Sequence, residues 1–271
     1  MSSELLIHPH PPEADGTIMG VTPASAGWEY VGFEVLALEA GDVARRSTAG
    51  RELCIVVVSG RVDVATNHGD FNGVGGRPDP WAGAPDAVYL PPGSEVEMHA
   101  VEDCELGLCW APAPKGGVGA RLLPGDEIEV ETRGYGSLER TVRPILMNGQ
   151  EAESLLVVEV ITPGGHWSSY PPHKHDVDNP PTETVLEETY YHRIQPARGF
   201  GLQRVYTEDR EIDETLSVSD RDCVLVPRGY HTVSAPPGYD LYYLNVMAGP
   251  SRVWTFANDA AHEWTLTEGT R

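Results

Sequence analysis

The chain has 271 residues, enough for two domains of ordinary size. Its 19 Lys and Arg against 41 Asp and Glu give a formal net charge of -22, a field that repels nucleic acid and anionic membrane surfaces and excludes both as partners. The same field means that any anionic metabolite must be met by basic side chains gathered locally.

The first residues, MSSELLIHPHPPEADG, lack the basic segment and apolar run of a secretory signal. No apolar stretch approaches the ~20 residues that a membrane span needs. Cys54, Cys104, Cys109 and Cys223 have no CxxC spacing, which points to free buried thiols in a reducing compartment, the cytoplasm.

Gly (29) and Pro (23) are abundant without a period, as in chains of short strands and tight turns. In chain order, β-branched and aromatic runs predict strands at 28–38 (WEYVGFEVLAL), 53–58 (LCIVVV), 87–90 (AVYL) and 105–110 (ELGLCW). The second half adds 155–161 (LLVVEVI), 189–192 (TYYH), 223–226 (CVLV) and 241–246 (LYYLNV). No segment has helical periodicity over a useful length, so the chain is expected to be all-β.

The two halves superpose. A spacing of 136 separates Glu52 from Glu188, Gly93 from Gly229, and Asp103 from Tyr239, each at the same point of a strand or turn. One offset across three segments indicates an internal duplication. Farther upstream Glu34 and Glu159 are only 125 apart, so the second copy carries 11 extra residues, in the loop that contains HKHDVDNPPTET. Two tandem antiparallel barrels or jelly rolls follow: residues 1–112, a Pro/Gly-rich linker at 113–136, and residues 137–271.

His173-Lys174-His175 carries the most chemical information. On a strand, residues i and i+2 share a face, so both imidazoles can reach one point while Lys174 turns away. Imidazole donors suit divalent Zn, Mn, Fe or Ni, although an isolated HxH is more often a solvated surface pair. The context is stronger. Gly164-Gly165 precedes it, Glu188 opens the next strand, and His231 follows Pro227-Arg228-Gly229-Tyr230.

A Gly turn, HxH, Glu, then PxG followed closely by His resembles the double motif of the cupin superfamily. That resemblance implies a metal site of His173, His175, Glu188 and His231 inside the second barrel. The 13 residues from His175 to Glu188 exceed the usual interval, which leaves Glu183 and Glu187 as alternatives to Glu188. The first copy keeps Glu52 but has no histidine before it and has Glu95 where His231 would fall. It is expected to be scaffold or part of an interface.

Longer strings extend the likeness: GHWSSYPPHKHD (165–176), LEETYYHRI (186–194), QRVYTEDR (203–210), VLVPRGYH (224–231) and YDLYYLNVMAGP (239–250). Over nearly the whole chain they resemble the 5-deoxy-glucuronate isomerases of bacterial myo-inositol catabolism, with the 5-keto-4-deoxyuronate isomerases of pectin breakdown as more distant kin. The resemblance implies an aldose–ketose isomerisation of a sugar acid, assisted by a divalent metal, zinc first.

Such a reaction needs a Lewis acid on the carbonyl and a placed acid/base group. Tyr190 and His192 share the strand face of Glu188 and could shuttle the proton; His166 is a third candidate. Barrel packing competes as an account of Tyr190 and His192. Arg204 and Arg228 are the local cations for a substrate carboxylate, and Tyr243 could line the lumen. A metal-dependent dioxygenase and a non-enzymatic sugar-binding bicupin are the competing functions. Two strand-rich barrels are also compatible with a homo-oligomer.

Overall fold

The computed structural model describes residues 3–147 and 149–268. Strands dominate, and the described α-helices are two four-residue segments, Pro23–Ala26 and Thr265–Glu268. The strands lie in antiparallel sheets of nine, seven and five, as alternating β-branched runs broken by Gly and Pro dictate. No described helix is long and apolar enough to cross a membrane.

The duplication is visible in the register. In the first copy Cys54 stands opposite Cys109, between the strands Arg51–Thr66 and Cys104–Pro112. In the second Tyr190 stands opposite Asn245, between Glu187–Gln195 and Asp240–Ala248. Both members of the second pair lie 136 residues beyond those of the first.

The chain divides into two compact units, and their boundaries are not continuous in sequence. One unit joins 9–129 with 143–158; the other joins 1–8, 130–142 and 159–271. This differs from a division at 112 and 137. The N-terminal arm places Leu6–Ile7 against Cys223–Val226, far away in sequence. Part of the expected linker is itself a strand, Arg121–Leu123, paired with Ala87–Leu90. Sheet edges take whichever segment covers their unpaired amides, and composition does not reveal that choice.

The unit containing most of the first copy encloses a dry core that includes Leu36, Leu53, Ile55, Leu90, Met98 and Leu106. Each such side chain contributes about 1.5–3 kcal/mol by leaving water. In the other unit the interior is different. The seven-stranded sheet turns Glu188, Tyr190 and His192 inward, and the five-stranded sheet brings histidines to meet them. All four cysteines are free and buried.

Candidate metal centre

The strand Trp167–Lys174 carries His173 near its end, and its pairing with Tyr230–Ser234 sets His173 directly opposite His231. His175 follows two residues on. The ligand-capable atoms of these three histidines lie within 4.8 Å of one another, and all three rings are buried. From the facing sheet Glu188 enters the cluster: one carboxylate oxygen lies against His175 Nε2, and the other is 3.7 Å from His231 Nε2.

The local hydrogen bonds prepare these rings for a cation. His231 Nδ1 lies 3.2 Å from the Gly229 carbonyl and His173 Nδ1 lies 3.4 Å from that of Pro171. A carbonyl only accepts, so each Nδ1 holds the proton and each Nε2 keeps its lone pair. His231 Nε2, both nitrogens of His175 and Glu188 Oε1 are buried without a hydrogen-bond partner. Burial pushes the pKa of His173 and His175 well below the ordinary imidazole value, the neighbouring histidines adding to it, and brings that of His231 to about 4. Burial also raises the Glu188 carboxyl to about 8, against hydrogen bonds from Tyr190 and Asn245.

Donors on His175, His231 and Glu188 are costly to bury with idle lone pairs, and His173 converges on the same point. A divalent ion with nitrogen and oxygen preferences satisfies them, so the residues present fit a metal. Asn245 Nδ2 donates to Glu188 Oε2 at 3.0 Å and fixes that carboxylate from behind.

Beside the cluster the lumen is aromatic and polar. The Tyr190 ring lies 5.6 Å from His231 and 5.0 Å from Tyr243. The Ser169 hydroxyl is 3.5 Å from the Tyr190 hydroxyl and 3.3 Å from that of Tyr243. Ser169 sits at φ 48° in an irregular stretch of its strand between Ser168 and His173, a conformation uncommon for residues other than glycine. Farther in, His192 Nε2 is 2.8 Å from Gln203 Oε1, while His192 Nδ1 has no partner. Burial brings the His192 pKa to about 4 and lifts those of Tyr190 and Tyr243 above the usual phenol value.

The structure thus brings together His173, His175, Glu188 and His231, with Tyr190, Tyr243 and His192 close by. Other candidates lie elsewhere. Glu183 accepts from Lys174 Nζ and from the amides of Asp176 and Val177, which makes it the clasp of the inserted loop. Glu187 is buried next to Glu188 on the alternate strand face. His166 occupies a turn, its Nδ1 2.8 Å from the Glu139 carbonyl.

Arg204 and Arg228 also point away. Arg204 alternates with Gln203 and Val205, whose side chains are buried, and pairs with Asp213 at 2.8 Å on the outer face. Arg228 pairs with Glu211 at 2.6 Å, half in solvent. Residues flanking a motif need not share its side of the sheet, and the period-2 alternation of 203–206 places Arg204 outside. Asn245, Ser169 and Gln203 escape a reading of the sequence because none belongs to a ligand motif. The signal for Asn245 is its position: an amide in an apolar strand, aligned with Cys109 in the other copy.

This geometry coincides with a family assignment. The KduI/IolB family model matches residues 5–265. The chain belongs to the KduI/IolB family. Among curated members of this kind, the 5-deoxy-glucuronate isomerase of Geobacillus thermodenitrificans is 53% identical over 265 residues, 97% of this chain and 96% of that protein. The enzyme of the same name from Bacillus subtilis is 47% identical over 248 residues, 91% of each chain. An IolB-like protein of Salmonella typhimurium has a crystal structure that superposes with a TM-score of 0.93 at 46% identity, covering 97% of this chain and 99% of that one. Oxalate decarboxylase of Lactobacillus farciminis superposes at 0.65 with 13% identity, over 99% of this chain and 91% of its own. At that identity the likeness concerns the fold alone: this KduI/IolB member is a bicupin.

Proposed function

We propose that this chain is a 5-deoxy-glucuronate isomerase, converting 5-deoxy-D-glucuronate to 5-dehydro-2-deoxy-D-gluconate within myo-inositol catabolism. The observation that carries the reading is the buried set of lone pairs on His175, His231 and Glu188, in a chain 53% identical to a protein of that name. His173, His175, Glu188 and His231 would hold one divalent ion, zinc first, with manganese, iron and nickel as the alternatives that elemental analysis distinguishes. Bound there, the ion supplies Lewis acidity to the substrate carbonyl and the adjacent hydroxyl.

The chain's own residues account for the proton movements. The two phenols keep their protons at neutral pH because burial raises their pKa values. Tyr190 therefore donates a hydrogen bond, and can carry the hydroxyl proton from one substrate oxygen to the other. His192 is neutral, and its Nε2–H is given to Gln203. The proton taken from the carbon beside the aldehyde returns to the aldehyde carbon, and Tyr190 and His192, which share the strand face of Glu188, are the candidates to carry it. No electron leaves the substrate, so the reaction is redox-neutral. Free buried thiols suit a reducing cytoplasm as its location.

The test is turnover of 5-deoxy-D-glucuronate by zinc-loaded protein, followed as ketose formation with oxygen uptake recorded in parallel. Ketose without oxygen consumption supports the isomerase. Oxygen uptake with no ketose would replace it by an oxygenase on the same ligand set.

A further inference from the structure

The substrate of the proposed reaction carries a carboxylate, and neither Arg204 nor Arg228 reaches the lumen. The hairpin at the edge of the seven-stranded sheet supplies another cation. Its strands Glu131–Arg133 and Arg140–Leu146 set Arg133 directly opposite Arg140, and directly opposed residues project from the same face.

Arg133 is already engaged. It pairs with Glu131 at 2.7 Å and lies over the Trp254 ring at 5.5 Å. That ring leads toward the metal centre, since Trp254 is 5.4 Å from Phe256 and Phe256 is 4.6 Å from His173. The face shared by the two arginines therefore looks toward the histidine cluster. Arg140 interacts electrostatically with Tyr243 and with His173, both of which line the lumen.

Arg140 is half-buried. Its Nη1 donates to the Leu138 carbonyl at 3.1 Å, and among the described residues it has no carboxylate partner. Arg45, Arg46, Arg61, Arg193 and Arg204 each hold an Asp or Glu. What sets Arg140 apart is the combination of an unneutralised, partly desolvated guanidinium with a place on the hairpin face beside the histidine cluster. Burial lowers the Arg140 pKa, opposed by Tyr243 and reinforced by Arg133. Gly134, at φ +86° in the hairpin turn, leaves room for the guanidinium, since a Cβ there would lie 2.8 Å from Nη1.

We infer that Arg140 is the anion receptor of the lumen and binds the carboxylate of a linear sugar acid whose other end lies at the histidine cluster. This rests on the proposed function for the identity of the substrate and on geometry for the cation. A guanidinium offers two parallel N–H bonds to a carboxylate, so it selects acids over the corresponding alcohols. Arg140 is then the residue that makes this an enzyme of sugar acids and not of neutral sugars.

The experiment is calorimetric titration of the zinc-loaded full chain with D-gluconate and, separately, with its uncharged counterpart D-glucitol. The wild type is expected to prefer gluconate, and Arg140→Met to weaken gluconate by roughly 30- to 100-fold while glucitol and zinc content stay unchanged. Arg140→Lys keeps the charge without the fork and is expected to fall between them; it also serves where Arg140→Met fails to fold. Equal affinity of the wild type for acid and alcohol overturns the inference. So does a gluconate preference that survives in both variants. A wild type that shows the Arg140-dependent preference yet forms no ketose from 5-deoxy-D-glucuronate would sink the isomerase reading and leave the anion receptor standing.

Discussion

Glu52 and Glu188 occupy the same place in the two copies, yet only one of them has its carboxylate satisfied by the protein. Glu52 stands opposite Ala111 as Glu188 stands opposite Met247, a common shift of 136 residues. The Glu52 carboxylate accepts from the backbone amides of Glu153, Ser154 and Leu155 and from the Tyr89 hydroxyl. Glu188 Oε1 has no such donor. The same position is a structural anchor in one copy and, in the proposed site, a metal ligand in the other.

Glu52→Ala leaves three amides and a phenol without their buried acceptor. The expected cost is about 3–5 kcal/mol, read as a fall in unfolding midpoint. Zinc stoichiometry of the folded fraction stays at the wild-type value. Loss of zinc in proportion to loss of stability would instead implicate the first copy in metal binding.

Removing the metal has the opposite signature. Because the idle lone pairs of His175, His231 and Glu188 are buried, an ion bound by them is expected to stabilise the native state by mass action. At free zinc one hundred times its Kd the gain is about 2.7 kcal/mol. Thermal denaturation with and without a chelator measures it. His175→Ala is expected to lose zinc affinity by more than about 100-fold, together with turnover and the chelator-dependent shift. A stable His175→Ala variant with wild-type zinc content defeats the proposed ligand set.

Asn245 acts through Glu188. Its Nδ2 donates to Glu188 Oε2 at 3.0 Å and to the Thr189 carbonyl at 3.1 Å. Asn245→Leu keeps the volume and removes both donations, so the carboxylate loses its orientation. Zinc affinity is expected to drop roughly 10- to 100-fold, measured by competition with a chromogenic chelator. An unchanged affinity would show that His231 and His175 alone set the geometry of Glu188.

The extent to which the sequence foretold this follows from the kind of signal each feature leaves. Strand runs and the 136-residue offset predict the all-β duplicated fold, because side-chain alternation and turn residues are local. His173, His175 and His231 are legible for the same reason: HxH places two rings on one face, and the turn ending at Gly229 delivers the third. Arg140 is not legible. It lies in a segment expected to be near a linker, and its importance comes from lacking a partner, which only three-dimensional pairing reveals. The place of segment 1–8 is not legible either, since Leu6 pairs with Val224 across the length of the chain.

The inserted loop gives the last prediction. Glu183 holds Lys174 Nζ at 3.1 Å, the Asp176 amide at 2.8 Å and the Val177 amide at 3.0 Å. Asp176 in turn accepts from Lys174 and from the Gly229 amide, two residues before His231. The loop is thereby tied to both strands that carry histidines. Glu183→Ala should cost about 2 kcal/mol, and faster amide exchange confined to 176–186 would locate the loss. Zinc would still bind, because Glu183 turns its carboxylate to the loop backbone and to Lys174, whereas a ligand's removal would empty the site. Retained zinc with a loosened loop therefore separates a clasp from a ligand, and an empty site in Glu183→Ala would restore Glu183 as the metal's carboxylate.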